Sequence, residues 1–137
     1  MQTAARLSPE SVDQLAAFYA EHCAFRDPFQ AVHGRLAVAA IYRNMFEQLH
    51  APRFANVRLL GQPDTAAREA VVAWDFEFAL GKTKSRQSIA GASLLRWDAE
   101  CRIREHIDYW DASLLMQGLP VVGGLIGWLR QKIGQAH

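Results

Sequence analysis

The sequence predicts an α+β domain, in which a strongly curved antiparallel sheet wraps around N-terminal helices and encloses a pocket. The hydrophobic residues follow the 3.6-residue period of helices up to Pro52 and the two-residue period of strands from there to Trp110. The strand-like part is cut by short turns into four segments in a row, as in an antiparallel meander. Helices grouped before such a sheet, instead of alternating with its strands, indicate the α+β class.

The first helix is predicted to begin at Ser8-Pro9-Glu10, which supplies an N-cap, a first-turn proline and a favourable negative charge. Helical spacing continues beyond this start, so we expect the helix to end near His22. Pro28 restricts Asp27 to an extended backbone, and a short extended stretch is therefore expected at Ala24–Phe29. The apolar positions of the first helix are Val12, Leu15, Ala16, Tyr19 and Cys23.

A second helix is predicted over about Arg35 to Leu49, with an apolar stripe at helical spacing. The four strands are predicted at Phe54–Leu60, Val71–Leu80, Arg86–Trp97 and Arg102–Trp110. A short helix at Ala112–Gln117 and an amphipathic segment at Val121–Ile133 are expected to follow.

Length and composition indicate one domain spanning residues 1–137, with a C-terminal helical extension at about 112–133. The formal net charge is +1 and the charges are mixed, so we expect no nucleic-acid partner. The longest apolar run, Leu119–Leu129, is too short to span a bilayer. Two separated cysteines, Cys23 and Cys101, favour a reducing compartment, and we expect a cytoplasmic protein.

No motif for a cofactor is present in the sequence. We find no metal-ligand spacing of His and Cys, no phosphate-binding loop, no dinucleotide fingerprint and no nucleophile elbow. The sequence therefore predicts neither a metal site nor a bound cofactor.

Three stretches of the chain resemble the SnoaL-like superfamily, which also contains ketosteroid isomerases, scytalone dehydratase and nuclear transport factor 2. The first is Phe18–Phe29, which ends in Asp-Pro-Phe, and the second is His33-Gly34-Arg35 with the helix after it. The third is the last hairpin, with Leu95–Asp98, Arg102-Ile103 and Tyr109-Trp110. The resemblance covers about residues 12 to 111, and it implies a cone-shaped fold with an internal pocket. It does not specify one reaction, because proteins of one fold carry different chemistries.

Asp27 lies where the resemblance places the proton-abstracting base of this superfamily. A carboxylate at the mouth of an apolar pocket gains basicity by desolvation, which suits removal of a proton next to a carbonyl group. Asp-Pro is also a common turn dipeptide, so the carboxylate could instead only cap backbone N–H groups. The sequence leaves both interpretations open.

His106 and Asp108 are two residues apart on the last predicted strand and therefore share a face with Arg104 and Trp110. The resemblance puts Trp110 on the pocket side, so His106 and Asp108 would face the same cavity as Asp27 and form an acid–base cluster with it. The alternative is a structural role, in which Asp108 forms a salt bridge with Arg104 or Arg86 and His106 is a satisfied core residue.

Several further residues are predicted to line the pocket or to contact a substrate, and for most of them plain core packing is the alternative. These residues are Tyr19, Tyr42, Trp74, Phe76, Ser93 and Trp110. The resemblance does not extend to the isomerase oxyanion hole. Only 26 residues precede Asp27, so no early tyrosine is expected, and Ser93 occupies the position of the aspartic acid.

Two classes of function fit these features. One is a small enzyme that uses Asp27, His106 and Asp108 in general acid–base catalysis on a hydrophobic carbonyl compound, by isomerisation, dehydration or cyclisation. The other is a non-catalytic module that binds a hydrophobic ligand or forms a dimer. In either case we expect a hydrophobic small-molecule ligand and a homodimer. The apolar segment 119–133 could cover the pocket, contact a second subunit or a membrane surface, or pack on the sheet.

Overall fold

The computed structural model describes residues 9–80 and 85–113, which form two helices and one curved, open six-stranded sheet. The α+β prediction is confirmed. The elements are α1 (Pro9–Ala16), β1 (Tyr19–Asp27), β2 (Gln30–His33), α2 (Arg35–Gln48), β3 (His50–Leu59), β4 (Glu69–Leu80), β5 (Ser85–Trp97) and β6 (Ile103–Trp110).

The prediction for the first helix is wrong at its C-terminal end. The helix stops at Ala16, and the chain from Tyr19 to Asp27 is a strand. Tyr19 and Cys23 are four residues apart, a spacing that fits one face of a helix and one face of a strand equally well. Pairing decides between them, because this segment is hydrogen-bonded to β2 on one side and to β6 on the other.

The strand order is β2-β1-β6-β5-β4-β3, so the last four strands form the predicted antiparallel meander. β1 joins it through a parallel pairing with β6, in which Phe25 aligns with His106 and Arg26 with Ile107. The residues that follow these pairs are Asp27 and Asp108. The register therefore brings the two carboxylates predicted to be functional to the same end of the sheet.

β3 begins four residues earlier than predicted, at His50, and contains Pro52. It is an edge strand, and an edge strand can hold a proline because its free side needs no N–H donor. The pairing of β3 with β4 shifts between His50 and Arg53, and Ala51 has a positive φ of 47°. This irregularity lets the strand start directly after α2 ends.

The main core lies between the helices and the N-terminal strands. Its buried members come from α1, α2 and β1, and they are Val12, Tyr19, Cys23, Phe25, Val38, Ala39 and Tyr42. A second, smaller cluster joins the end of α2 to β4 and β5 through Leu49, Phe78 and Ile89. The expected extension lies outside the described residues from position 114 onward.

Candidate functional site

Asp27 ends β1, and its carboxylate is held by the turn that follows. Oδ1 accepts hydrogen bonds from the backbone N–H groups of Phe29 at 2.8 Å and Gln30 at 3.0 Å, and Oδ2 accepts one from Gln30 Nε2 at 3.1 Å. Burial raises the pKa of Asp27, these hydrogen bonds partly oppose the rise, and the negative charge of Asp108 adds to it. The carboxylate thus caps the turn and is also a stronger base than a solvated one.

His106 and Asp108 are in direct contact on β6. Nε2 of His106 lies 2.5 Å from Oδ1 of Asp108, and the side chains are 8% and 14% exposed. The alternative salt bridge of Asp108 is not observed in the described residues, where Arg86 pairs with Glu77. His106 is nevertheless a buried residue with both ring nitrogens hydrogen-bonded, and the partner of Nε2 is Asp108.

Two buried tyrosines lie behind His106. The hydroxyl of Tyr19 is 2.6 Å from Nδ1 of His106, and Tyr42 is hydrogen-bonded to the hydroxyl of Tyr19. The rings of Tyr19 and His106 are parallel with centroids 5.9 Å apart, and Phe25 meets the imidazole edge-on at 4.8 Å. Burial is the main cause that raises the pKa of both tyrosines, so both phenols stay protonated at neutral pH.

Ser93 on β5 and Trp74 on β4 hold Asp108, Ser93 by direct contact and Trp74 through Ser93. Ser93 lies directly opposite Asp108, and its hydroxyl donates a hydrogen bond of 2.5 Å to Oδ1. The indole N–H of Trp74 donates to the Ser93 hydroxyl at 2.8 Å. Trp74 lies opposite Gly91, where an added Cβ would stand only 2.4 Å from the indole ring. The indole can therefore cover β5 only because position 91 has no side chain.

A cavity of about 280 Å³ opens beyond the last aligned pair of β1 and β6. Its border consists of Arg26, Asp27, Pro28, Ile107, Asp108, Tyr109 and Trp110. Trp110 meets Phe29 edge-on with ring centroids 5.3 Å apart, so the aromatic wall and the Asp27 turn are packed together.

The structure divides the residues predicted for the site into two groups and places Phe76 in neither. Asp27, Asp108 and Trp110 border the cavity. Tyr19, Tyr42, Trp74, Ser93 and His106 are at most 7% exposed and lie behind Asp108, while Phe76 packs between Phe54 and Phe78. The catalytic and substrate-binding roles of all nine residues stay predictions.

Gln30 is a member of the site that sequence reasoning missed. It is only 8% exposed, and both its backbone and its side chain donate to Asp27. The available signal was a glutamine three residues after Asp27, in a segment otherwise rich in apolar residues.

Within residues 9–80 and 85–113, no group of three or more His, Cys, Asp or Glu side chains is arranged to hold a metal ion. Neither helix described there has the length and apolar character needed to cross a bilayer.

Fold and site together define a class: small α+β proteins whose curved sheet presents two carboxylates at an aromatic cavity. A model of the SnoaL-like domain matches residues 2–106. The chain therefore belongs to the SnoaL-like family. A search of curated proteins found no match.

Solved structures of similar fold share little sequence with the chain. A hypothetical protein from Catenulispora acidiphila, with a ketosteroid isomerase-like fold and bound trimethylamine, is 17% identical over 80% of this chain and 84% of its own, with a TM-score of 0.67. A protein from Xanthomonas campestris provisionally named a polyketide cyclase is 13% identical over 77% and 82% of the two chains, with a TM-score of 0.66. A provisional isomerase of the SnoaL-like family from Agrobacterium tumefaciens is 20% identical over 77% and 85%, with a TM-score of 0.57. At these identities the likeness shows the fold alone.

Proposed function

We propose that this protein is a small enzyme that acts by general acid–base catalysis on a hydrophobic compound carrying a carbonyl group, in an isomerisation, a dehydration or a cyclisation. The observation that carries the proposal is the position of two carboxylates, Asp27 and Asp108, on the border of one cavity with an aromatic wall. The names of similar structures include polyketide cyclases and isomerases.

In this proposal Asp27 is the base. It takes a proton from the carbon next to the substrate carbonyl, and the electron pair of the broken C–H bond moves into an enolate. Burial, which raises the pKa of Asp27, makes the carboxylate a better acceptor for that proton. The protonated Asp27 can then return the proton to another carbon, which completes an isomerisation with no net change of atoms.

Asp108 and His106 form the second acid–base group. Asp108 borders the cavity, whereas His106 lies behind it and acts through their shared hydrogen bond. The group orients the substrate carbonyl or exchanges a proton with it. Trp110 supports the apolar part of the substrate, and the more deeply buried aromatic residues shape the wall from behind.

The proposal can be tested with 2-tetralone, an apolar ketone with acidic protons next to its carbonyl group. In D₂O, NMR measures how fast these protons are replaced by deuterium. We expect the protein to accelerate this exchange and Asp27→Asn to reduce the acceleration by about 10²- to 10⁴-fold, which is the usual contribution of a general base. The matched control is Asp13→Asn, which removes the same charge from an exposed ion pair with Arg43.

A second candidate function is a binding module without catalysis. It is favoured by the three hydrogen bonds on Asp27, which are what a purely structural turn cap would show. In that case 2-tetralone would bind, as saturation-transfer NMR would show, but its exchange rate would be the same with the wild type and with Asp27→Asn.

We also propose a cytoplasmic homodimer. The family resemblance supports the dimer, and the exposed apolar side chains of Tyr109 and Leu59 offer surface for a subunit contact. The two unpaired cysteines support the reducing location.

A further inference from the structure

Asp108 and five buried polar side chains around it form one continuous hydrogen-bonded chain. It runs from Tyr42 through Tyr19 and His106 to Asp108 on one side, and from Trp74 through Ser93 to Asp108 on the other. No buried side-chain nitrogen or oxygen in the described residues lacks a partner, so the network is complete. A complete network fixes its members in one arrangement.

The direction of the first arm follows from its end at a carboxylate, which can only accept hydrogen bonds. Nε2 of His106 must then donate its proton to Asp108, and Nδ1 shares a second hydrogen bond with the Tyr19 hydroxyl. The Tyr19 oxygen in turn accepts a hydrogen bond from Tyr42.

The second arm has only one possible direction. The indole N–H of Trp74 has no acceptor capacity, so it donates to Ser93, and the Ser93 hydroxyl donates onward to Asp108. Both arms end at the same atom, Oδ1 of Asp108. Oδ2 carries no hydrogen bond from the described residues, and Asp108 borders the cavity.

We infer that Tyr19 and Ser93 are positioning residues for Asp108: His106, which Tyr19 orients, and Ser93 hold Oδ1 from two sides and so leave Oδ2 as the carboxylate oxygen that serves the cavity. Tyr19 acts through His106, whereas Ser93 contacts the carboxylate directly and is itself held by Trp74. The inference rests on the proposed function, because the orientation of Asp108 matters for chemistry only if Asp108 works on a ligand.

NMR of protein labelled with ¹⁵N at histidine and tryptophan tests the two arms separately and needs no substrate. The wild type should show two side-chain N–H protons that exchange slowly with water, Nε2–H of His106 and Nε1–H of Trp74, identified by their loss in His106→Gln and Trp74→Phe. Tyr19→Phe should speed exchange of the histidine proton by about tenfold, since it removes one buried hydrogen bond, and change the indole proton by less than about twofold. Ser93→Ala should do the reverse.

Ser88→Ala is the matched control, because Ser88 is an exposed serine on the same strand. It should alter neither signal. If Tyr19→Phe does not fold, Tyr42→Phe removes the hydroxyl one link further out and should affect the same histidine proton to a smaller extent. Equal acceleration of both protons in Tyr19→Phe and Ser93→Ala would overturn the inference, because a general loss of stability has that effect. A wild type without a protected His106 proton would overturn it too.

These outcomes separate the inference from the proposed function. Suppose that Tyr19→Phe and Ser93→Ala each speed exchange of only the N–H proton in their own arm, but the protein does not accelerate deuterium exchange of 2-tetralone. The positioning network would then be retained and the proposed enzyme rejected. If the protein accelerates deuterium exchange of 2-tetralone but both variants affect both N–H protons equally, the enzyme would be retained and the positioning roles of Tyr19 and Ser93 rejected.

Discussion

The two carboxylates at the cavity are held in opposite ways. All three hydrogen bonds of Asp27 come from residues two or three positions further along the chain. Asp108 is held by Ser93, 15 residues away on β5, and by His106, whose other nitrogen bonds to Tyr19, 87 residues away on β1. One environment is made by a turn and the other by the register of three strands. Local perturbation should therefore affect Asp27, and perturbation of sheet packing should affect Asp108.

The same difference explains what the sequence could predict. A turn cap was one of two interpretations that Asp27 before Pro28 left open, and the structure has that cap. The two-residue spacing of His106 and Asp108 placed them on one face, and they are in contact. The contact of Ser93 with Asp108 depends on which residues of β5 and β6 lie opposite each other, and a single sequence does not contain that register.

Tyr19 shows most clearly what the sequence could not predict. Its place in the buried interior was predicted, but it was assigned to a helix, because a four-residue spacing fits both periods. Only the parallel pairing of β1 with β6 brings it to His106. A parallel neighbour distant in sequence leaves no pattern in either strand that would reveal it.

The largest expected effect is on stability, and it should separate the two sites. His106→Ala leaves a cavity between Tyr19 and Phe25 and removes a partner from Tyr19 and from Asp108, so we expect a loss of about 3 kcal/mol in the free energy of unfolding. Asp27→Ala removes a local, partly exposed cap and should cost about 1 kcal/mol. Urea denaturation of both variants measures the difference. An Asp27→Ala variant less stable than His106→Ala would contradict the contrast between local and non-local support.

A smaller effect on stability is expected from a methyl group at Gly91. Gly91→Ala forces the indole of Trp74 to move, because the added Cβ would lie 2.4 Å from it, and overpacking of this kind costs about 1–3 kcal/mol. The displacement should weaken the bond from Trp74 to Ser93, which the indole N–H signal in NMR reports.

Gly61→Ala is the matched control for that variant. Gly61 has a positive φ of 73° but no neighbour within 4 Å of an added Cβ, so its replacement strains only the backbone, by about 1 kcal/mol. The Trp74 signal should stay unchanged in Gly61→Ala. An unchanged signal in Gly91→Ala would show that the ring accommodates the methyl group without losing Ser93.

The smallest expected effect is on the pH dependence of stability. It compares Asp27 with a second aspartate, Asp98, that also caps a turn. Asp98 accepts backbone N–H hydrogen bonds from Glu100 and Arg102 in the β5–β6 turn, as Asp27 does in its own turn. The hydrogen bond from Arg102 is the main cause that lowers the pKa of Asp98, whereas burial raises the pKa of Asp27. Both carboxylates thus accept two backbone hydrogen bonds, Asp27 accepts a third from the Gln30 side chain, and the two differ in desolvation.

The two aspartates should therefore give pH profiles of opposite sign, with each wild-type free energy of unfolding compared with that of its Asp→Asn variant. Because the folded pKa of Asp27 is above the ordinary 3.8, its contribution is fully present below pH 3.8 and is lost as the pH rises through the raised pKa. The folded pKa of Asp98 is below 3.8, so its contribution is present above pH 3.8 and is lost as the pH falls through the lowered pKa. Urea denaturation across this range measures both differences. The difference in free energy of unfolding between the wild type and Asp27→Asn could instead grow with pH, as expected for Asp98. The three hydrogen bonds would then outweigh burial. Asp27 would be a turn cap without the raised basicity that its catalytic role requires.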